Sequence, residues 1–343
     1  MKKLSLILIL FTSVILPQNL KMPQSSPFAQ IEQETGVSKI KITYHRPGVR
    51  GRVIWGNVVP TQGQIWRAGA NENTVFSFSD DCYINGNKLP AGDYGFHIAV
   101  GESEWELIFS KNSTAWGSFF YNPADDALRI KVKPQQTGFK EWLEYGFEDL
   151  TDSTAAVFLH WEKLKVSFTV KFDVKVLTVK YLARQLEALA GFSWQGYYEA
   201  ANYCYENECY PALAESWISK SVDLDRNLVN LDLKYRILLR SGNKSAGEKV
   251  YNEIRELLSQ MPETAVNRYG YQLLSRGLID EAVMVFEINV KRFPDSWNVY
   301  DSLGEAYSRK GEKDKSKEMY LTALKLAPES QKNRIKTIVD SLR

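Results

Sequence analysis

Residues 297–307, WNVYDSLGEAY, decide the fold of the C-terminal half. They place a large residue, a Leu-Gly pair and a Tyr at fixed intervals, and residues 34 positions earlier fill most of the same places. Pro294 and Pro328 are also 34 residues apart. The residues that share this period are Val266, Tyr269, Gly270, Leu273, Ala282, Phe286, Tyr320 and Ala323. The period predicts stacked helix pairs, because no single unit can bury its apolar face alone.

This stretch resembles the tetratricopeptide repeat family. The resemblance predicts an α-helical solenoid over 195–330, in units 195–228, 229–262, 263–296 and 297–330. Unit 229–262 departs from the family pattern, since Glu248 and Asn252 stand where Ala and an aromatic residue belong. A linking helix is predicted within 174–194, with its apolar stripe over 177–190, and a C-terminal capping helix is predicted at 331–343.

The resemblance implies a groove that is lined by the first helix of each unit and binds other proteins. The matching positions are Glu199, Glu206 and the candidate partner-binding residues Tyr203, Asn267, Tyr271, Asn298, Asp301 and Glu305. Because Asp301 and Glu305 would repel a carboxylate, a basic or neutral polypeptide is the expected partner. The alternative is that these side chains are merely solvated.

The preceding region, 24–173, has the period-two alternation of β-strands, as in Ile40, Ile42 and Tyr44. Asn85-Gly86 lies between two short apolar stretches, which is the strongest short-range signal of a hairpin. Eight or nine such strands predict an antiparallel β-sandwich or barrel-like domain. The chain is therefore expected to be a multidomain protein with a β domain followed by an α domain.

One long connection in the β region concentrates Arg, Trp, Gly and Asn. Its characteristic residues are Tyr44, Arg46, Pro47, Gly51, Arg52, Trp55, Gly56, Val59, Pro60, Trp66, Arg67, Gly69, Ala70, Asn71 and Thr74. Their spacing resembles that of an uncharacterised bacterial family, domain of unknown function number 2911, over about residues 25–172. The resemblance implies no activity, because none is assigned to the family.

Two interpretations of this connection remain open. Its candidate ligand-binding residues are Arg46, Arg52, Trp55, Trp66, Arg67 and Asn71. The guanidinium groups of the arginines could bind a carboxylate through paired hydrogen bonds, and the ring faces of the tryptophans could stack on a glycan. Alternatively, the Arg side chains satisfy backbone carbonyls of the connection while the Trp side chains close the end of the sandwich.

The charge balance indicates which partners are excluded, and the N-terminal sequence indicates the cellular compartment. Region 24–173 carries 15 basic and 18 acidic residues and region 174–343 carries 25 and 23, so neither has the basic excess of a nucleic-acid-binding protein. Lys2 and Lys3 precede an apolar run from Leu4 to Leu16, which predicts a signal peptide at 1–20. No transmembrane segment is predicted in the mature chain, which is expected to be exported, periplasmic or secreted.

No catalytic motif, cofactor site or metal site is predicted. His45, His97 and His160 could form a metal site if the faces that carry them meet, although scattered histidines are the alternative. Glu72 would be a general acid or base, but the sequence supplies it with no partner. Whether Cys204 and Cys209 form a disulfide stays open.

The leading hypothesis is an exported, non-catalytic protein in which a β module is joined to a tetratricopeptide scaffold. The scaffold would mediate protein–protein interaction in the cell envelope. The first alternative is a β module that binds an envelope glycan or a small anion through the Arg/Trp connection. The second alternative is an unrecognised hydrolase built on the same connection.

Overall fold

The computed structural model describes residues 22–342. The chain divides into two compact units, Met1–Thr178 and Val179–Arg343. The expected signal peptide at 1–20 lies outside the described residues.

The first unit is built from strands. They are β1 Phe28–Thr35, β2 Ser38–His45, β3 Ile65–Trp66, β4 Thr74–Phe78, β5 Cys82–Ile84, β6 Asn87–Leu89, β7 Gly92–Val100, β8 Trp105–Ser110, β9 Asp126–Val132, β10 Gln135–Glu148 and β11 Thr154–Phe172. One sheet has the order β1-β2-β4-β7-β8-β9, with β3 paired to β7, and the other has the order β10-β11-β5-β6. The strand pairings are antiparallel.

Both sheets bury side chains in one apolar core. Phe76 and Phe109 of the larger sheet each lie 5.8 Å, centroid to centroid, from Phe168 of the smaller sheet. Trp105 and Trp161 are among the largest fully buried side chains. Two antiparallel sheets around a shared core confirm the predicted β-sandwich.

The predicted Asn-Gly hairpin is confirmed. Asn85 and Gly86 join β5 to β6 with φ values of 46° and 85°, which a type I′ turn requires at both central positions. Strand β1 precedes the alternation that contains Ile40 and Ile42, and it pairs with β2 along its full length. Gly36, with φ 61°, makes the tight turn between these two strands.

The second unit is helical. Helix α1, Val174–Leu186, includes the boundary between the two units. The helices that follow it are α2 Trp194–Glu206, α3 Pro211–Leu224, α4 Leu228–Arg240, α5 Lys244–Gln260, α6 Glu263–Ser275, α7 Ile279–Arg292, α8 Trp297–Lys310, α9 Lys313–Leu326 and α10 Glu329–Ser341. Helices α2 to α9 pack as consecutive pairs joined by short turns. Among the described residues, no helix combines the length and the apolar character needed to cross a bilayer.

The last two helix pairs, α6–α7 and α8–α9, meet where a glycine faces an aromatic ring. A Cβ atom on Gly270 would lie 2.4 Å from the ring of Phe286, and one on Gly304 would lie 3.0 Å from the ring of Tyr320. Both members of the two pairs are separated by the same 34 residues along the chain. This close approach is the physical basis of the period, and it confirms a tetratricopeptide-like arrangement.

The linking segment differs from its prediction. A helix was expected over 177–190, but α1 ends at Leu186, and a short 3₁₀ turn, Leu189–Phe192, precedes α2. Gly191 lies so close to the Leu186 carbonyl that a Cβ atom would be 1.9 Å from its oxygen. The chain therefore folds back over the end of α1, and Ser193 caps the start of α2.

Candidate functional site

The Trp side chains of the Arg/Trp connection close one region of the sandwich core. The ring of Trp66 stacks on Trp161 at 6.0 Å, and the ring of Trp55 lies 4.8 Å from Trp105. Trp55 and Trp66 are themselves in edge contact at 6.0 Å. Their indole surfaces are thus used by the core, which leaves little ring face for a ligand.

Arg46 and Arg52 are directed at the backbone of their own chain. Arg46 Nε donates to the carbonyl of Leu143 at 2.8 Å, 97 residues away along the chain. Arg52 donates from Nη2 to Gly48 O at 2.6 Å and from Nε to Val49 O at 3.2 Å. A long irregular connection leaves carbonyls without a strand partner, and Arg52 supplies donors to two of them, whereas Arg46 ties the connection to a carbonyl of β10.

Arg67 and Asn71 act on the same connection. Arg67 Nη1 donates to Asn71 O, and its guanidinium lies over the ring of Phe119 at 5.3 Å. Burial lowers the pKa of Arg67. Ala68 and Asn71 have positive φ values of 52° and 57°, and the Ala68 carbonyl accepts a 2.7 Å hydrogen bond from the Tyr145 hydroxyl. The strained turn is therefore held from both sides.

The structure does not bring the three histidines together. His97 Nδ1 lies 3.0 Å from Ser118 Oγ, and His160 Nε2 lies 2.8 Å from Gly138 O. His45 instead lies beside Glu72, with Nδ1 3.2 Å from Oε2. In the described part of the chain, no three His, Cys, Asp or Glu side chains are grouped as metal ligands.

The predicted groove residues of the last two units form a connected row. Tyr271 Oη on α6 donates to Glu305 Oε2 on α8 at 3.1 Å, and Asn298 Nδ2 donates to Glu263 Oε1 at 3.2 Å. Asp301 on α8 accepts from Arg334 on α10 at 2.9 Å. These bonds join residues 33 to 35 positions apart, so they run from each first helix to the next.

We call Asn267, Tyr271, Asn298, Asp301 and Glu305 the A-helix face. Burial raises the pKa of Asp301, although Arg334 opposes this effect. Burial also raises the pKa of Tyr271 to about 12. Glu305 forms a second ion pair with Arg309 at 2.6 Å. Two of the acidic groups on the face are therefore paired with arginines.

Two predicted groove residues, Tyr203 and Asn267, take no part in the hydrogen bonds of this row. Tyr203 packs against the separate apolar cluster that contains residues of α2 and α3. Asn267 Oδ1 is buried and has no hydrogen-bond partner in the part of the chain that the structure describes. Sequence reasoning missed Glu263 and Arg334, which complete the row. Their distance of about one repeat from Asn298 and Asp301 was the signal that could have found them.

Cys204 and Cys209 are free thiols in the structure. Burial, followed by the neighbouring Cys209, raises the pKa of Cys204 to about 12. Cys209 N also donates to Cys204 O at 3.0 Å across the end of α2. The two residues are therefore adjacent in space, as a bridge would need.

Comparison with known proteins identifies the β region. Residues 26–170 match the model of a family described as "Protein of unknown function (DUF2911)". This match confirms the resemblance of the Arg/Trp connection. No curated protein matches the chain.

Solved structures resemble the helical region at low sequence identity. MamA 41-end from Desulfovibrio magneticus RS-1 is 19% identical, with 43% of this chain and 82% of that chain covered and a TM-score of 0.24. YrrB, described as a TPR protein with an unusual peptide-binding site, is 20% identical, with 45% and 79% covered and a TM-score of 0.25. PcrH, in complex with the chaperone binding region of PopD, is 15% identical, with 34% and 90% covered and a TM-score of 0.24.

Proposed function

We propose that this protein is an exported scaffold whose helical region binds an extended segment of another polypeptide along the A-helix face. The observation that carries the proposal is the row of hydrogen bonds from α6 through α8 to α10. Those bonds hold polar side chains in a fixed line, and an extended backbone needs such a line of hydrogen-bonding groups. The proposal assigns no reaction to the protein.

The chemistry of the face supports a neutral or basic segment. Asn267 Oδ1 is a buried acceptor without a partner among the described residues, and a backbone N–H of a bound peptide would satisfy it once the side chains that cover it move aside. Asp301 and Glu305 disfavour a peptide carboxylate, while their ion pairs with Arg334 and Arg309 moderate the attraction for cations. The Tyr271 ring adds an apolar surface for a peptide side chain.

A displayed peptide library, panned on the full chain, tests the binding proposal. An enriched peptide is synthesised, and its Kd is measured by fluorescence polarisation. Asn267→Leu removes the unpartnered acceptor at similar size, so the Kd should rise at least tenfold. Asn252→Leu makes the same change at an exposed position on α5 and should leave the Kd within twofold.

Two results would overturn this proposal. One is a library that yields no enriched peptide on the full chain. The other is an enriched peptide whose Kd is the same for Asn267→Leu and the parent protein while both remain folded by circular dichroism.

Export is proposed from the N-terminal sequence alone. Lys2, Lys3 and the apolar run to Leu16 supply the basic and apolar regions that a signal peptide needs. The periplasm or the extracellular medium is the proposed location. The test is cell fractionation of the full chain against a chain that starts at Met22. We expect the full chain to be exported and the shortened chain to stay in the cytoplasm. The same distribution of the two chains between the fractions would refute the signal peptide.

A further inference from the structure

A cavity of about 460 Å³ opens on the β-sandwich unit, and its lining among the described residues contains none of the arginines of the Arg/Trp connection. Its walls come from the ends of β1 and β2, the residues just before and within β4, and the loop that contains Trp116. His45 and Glu72, which are 27 positions apart along the chain, meet in the wall of this cavity. A volume of this size accommodates a small organic ligand.

The cavity wall contains buried polar atoms that the protein does not satisfy. Asn73 is 6% exposed, and its Nδ2 donates to Asn112 O at 3.3 Å, which orients the amide so that Oδ1 is the unused acceptor. In the described residues this Oδ1 has no partner. An acceptor in this state is destabilising unless a ligand or water donates to it.

His45 adds a second such group. Its side chain is 7% exposed overall, and Nδ1 lies 3.2 Å from Glu72 Oε2 without the alignment of a hydrogen bond. The Glu72 carboxylate is half exposed and therefore faces both the imidazole and solvent. The wall thus presents a carboxylate to the open cavity and holds an unsatisfied amide oxygen beneath its surface.

Charge and ring surfaces decide which ligand fits. No Lys or Arg lines the cavity among the described residues, so an anion would meet the Glu72 carboxylate without a compensating cation. Phe28 and Trp116 also line the cavity and are 60% and 52% exposed. Exposed aromatic rings beside a carboxylate attract cations, since each ring face carries partial negative charge.

We propose that this cavity binds a small ligand that carries a protonated amine. The ammonium group donates to the Glu72 carboxylate and reaches Asn73 Oδ1 once the side chains that cover this atom move apart, and the organic part of the ligand packs against Phe28 and Trp116. An ammonium group has three donors and no acceptor, which matches a wall whose unused groups are acceptors. This site is independent of the A-helix face, so either proposal can fail without the other.

The test compares two probes of similar shape, cyclohexylamine, which is protonated at pH 7, and cyclohexanol. Binding to the full chain is measured by isothermal titration calorimetry and by saturation-transfer NMR. We expect millimolar binding of cyclohexylamine, at least tenfold tighter than that of cyclohexanol. Glucose and acetate, as neutral-sugar and anion probes, should bind no better than cyclohexanol.

Exposed variants test the assignment without endangering the fold. Glu72→Gln and Trp116→Ala should each weaken cyclohexylamine binding about fivefold or more, because they remove the charge and the ring respectively. Glu104→Gln removes an exposed carboxylate elsewhere and should have no effect.

Three outcomes would overturn the proposal. The first is that cyclohexylamine does not bind at 50 mM, which is about fifty times a millimolar Kd. The second is that cyclohexanol, glucose or acetate binds as tightly as cyclohexylamine or more tightly. The third is that both Glu72→Gln and Trp116→Ala leave cyclohexylamine binding unchanged.

Discussion

The Arg/Trp connection of the sandwich and the A-helix face of the repeats both contain polar and aromatic side chains, but these side chains bond to different kinds of partner. In the connection, guanidinium groups donate to backbone carbonyls, as Arg46 does to Leu143 and Arg52 does to Gly48. On the helices, hydrogen bonds join side chains one repeat apart, as Tyr271 does with Glu305. A helix satisfies its own backbone, so its polar side chains remain available to each other and to partners. An irregular connection consumes its polar side chains internally.

The largest expected effect is the loss of a Trp from the core beneath the connection. Trp161 is 1% exposed and stacks on Trp66, so Trp161→Ala should destabilise the β-sandwich by about 4 kcal/mol. Urea unfolding followed by near-UV circular dichroism measures this change. Trp116→Ala, at an exposed position, should cost less than about 0.5 kcal/mol. A cost for Trp161→Ala that is as small as this would show that the ring closes no core.

The second largest effect should be a loss of stability in acid that affects the β-sandwich unit and not the helical unit. Burial lowers the pKa of His97 to about 4, against about 6.5 in an unfolded chain. Between these pH values the unfolded state binds more protons, so stability falls as the pH drops from 6.5 to 4, by about 3 kcal/mol. All three histidines lie in the sandwich, so this loss should be absent from the helical unit.

The measurement is denaturant unfolding of parent and His97→Gln proteins at several pH values. The variant should lose less stability across this range than the parent does. Identical slopes for the two proteins would assign the acid sensitivity to other groups.

Arg67→Ala is the sharpest test of the connection itself. The change removes a charged donor to Asn71 O, so the β-sandwich should lose about 2 kcal/mol. Arg67→Lys keeps the charge but not the planar fork and should recover little of this loss. Lys133→Ala, at an exposed position, serves as the control. If Arg67→Ala leaves urea unfolding unchanged, the structural interpretation fails and a ligand role for Arg67 gains support.

The smallest effect is expected on the A-helix face. Tyr271→Phe and Glu305→Gln together define a double-mutant cycle for the 3.1 Å hydrogen bond between α6 and α8. The coupling free energy of unfolding should be about 1 kcal/mol, as for a hydrogen bond between partly buried groups. A coupling near zero would mean that the bond does not order the face, and it would weaken the basis of the peptide-binding proposal.

The sequence was most informative where a local rule or a period acts. Asn85-Gly86 specifies its turn through backbone conformation, and the spacing of Gly304 and Tyr320 specifies how two helices approach. Both features depend on near neighbours or on a repeated interval. The fold class could therefore be predicted before any contact was known.

The partners of the candidate site residues were beyond such reasoning. The carbonyl that Arg46 binds is 97 residues away, and no pattern in the sequence identifies it. The cavity beside His45 also depends on four separate segments, because Phe28, Glu72 and Trp116 reach it from β1, from a turn and from a distant loop. Long-range pairing in an irregular region follows from the tertiary fold, which composition and spacing do not encode.

The glycine–aromatic contacts between paired helices also constrain how this chain can change over generations. An added methyl group at Gly270 would collide with Phe286 unless the ring became smaller in the same lineage. The same holds for Gly304 and Tyr320. Each contact should therefore behave as a single heritable unit, and a duplicated or exchanged repeat would bring both of its members along intact.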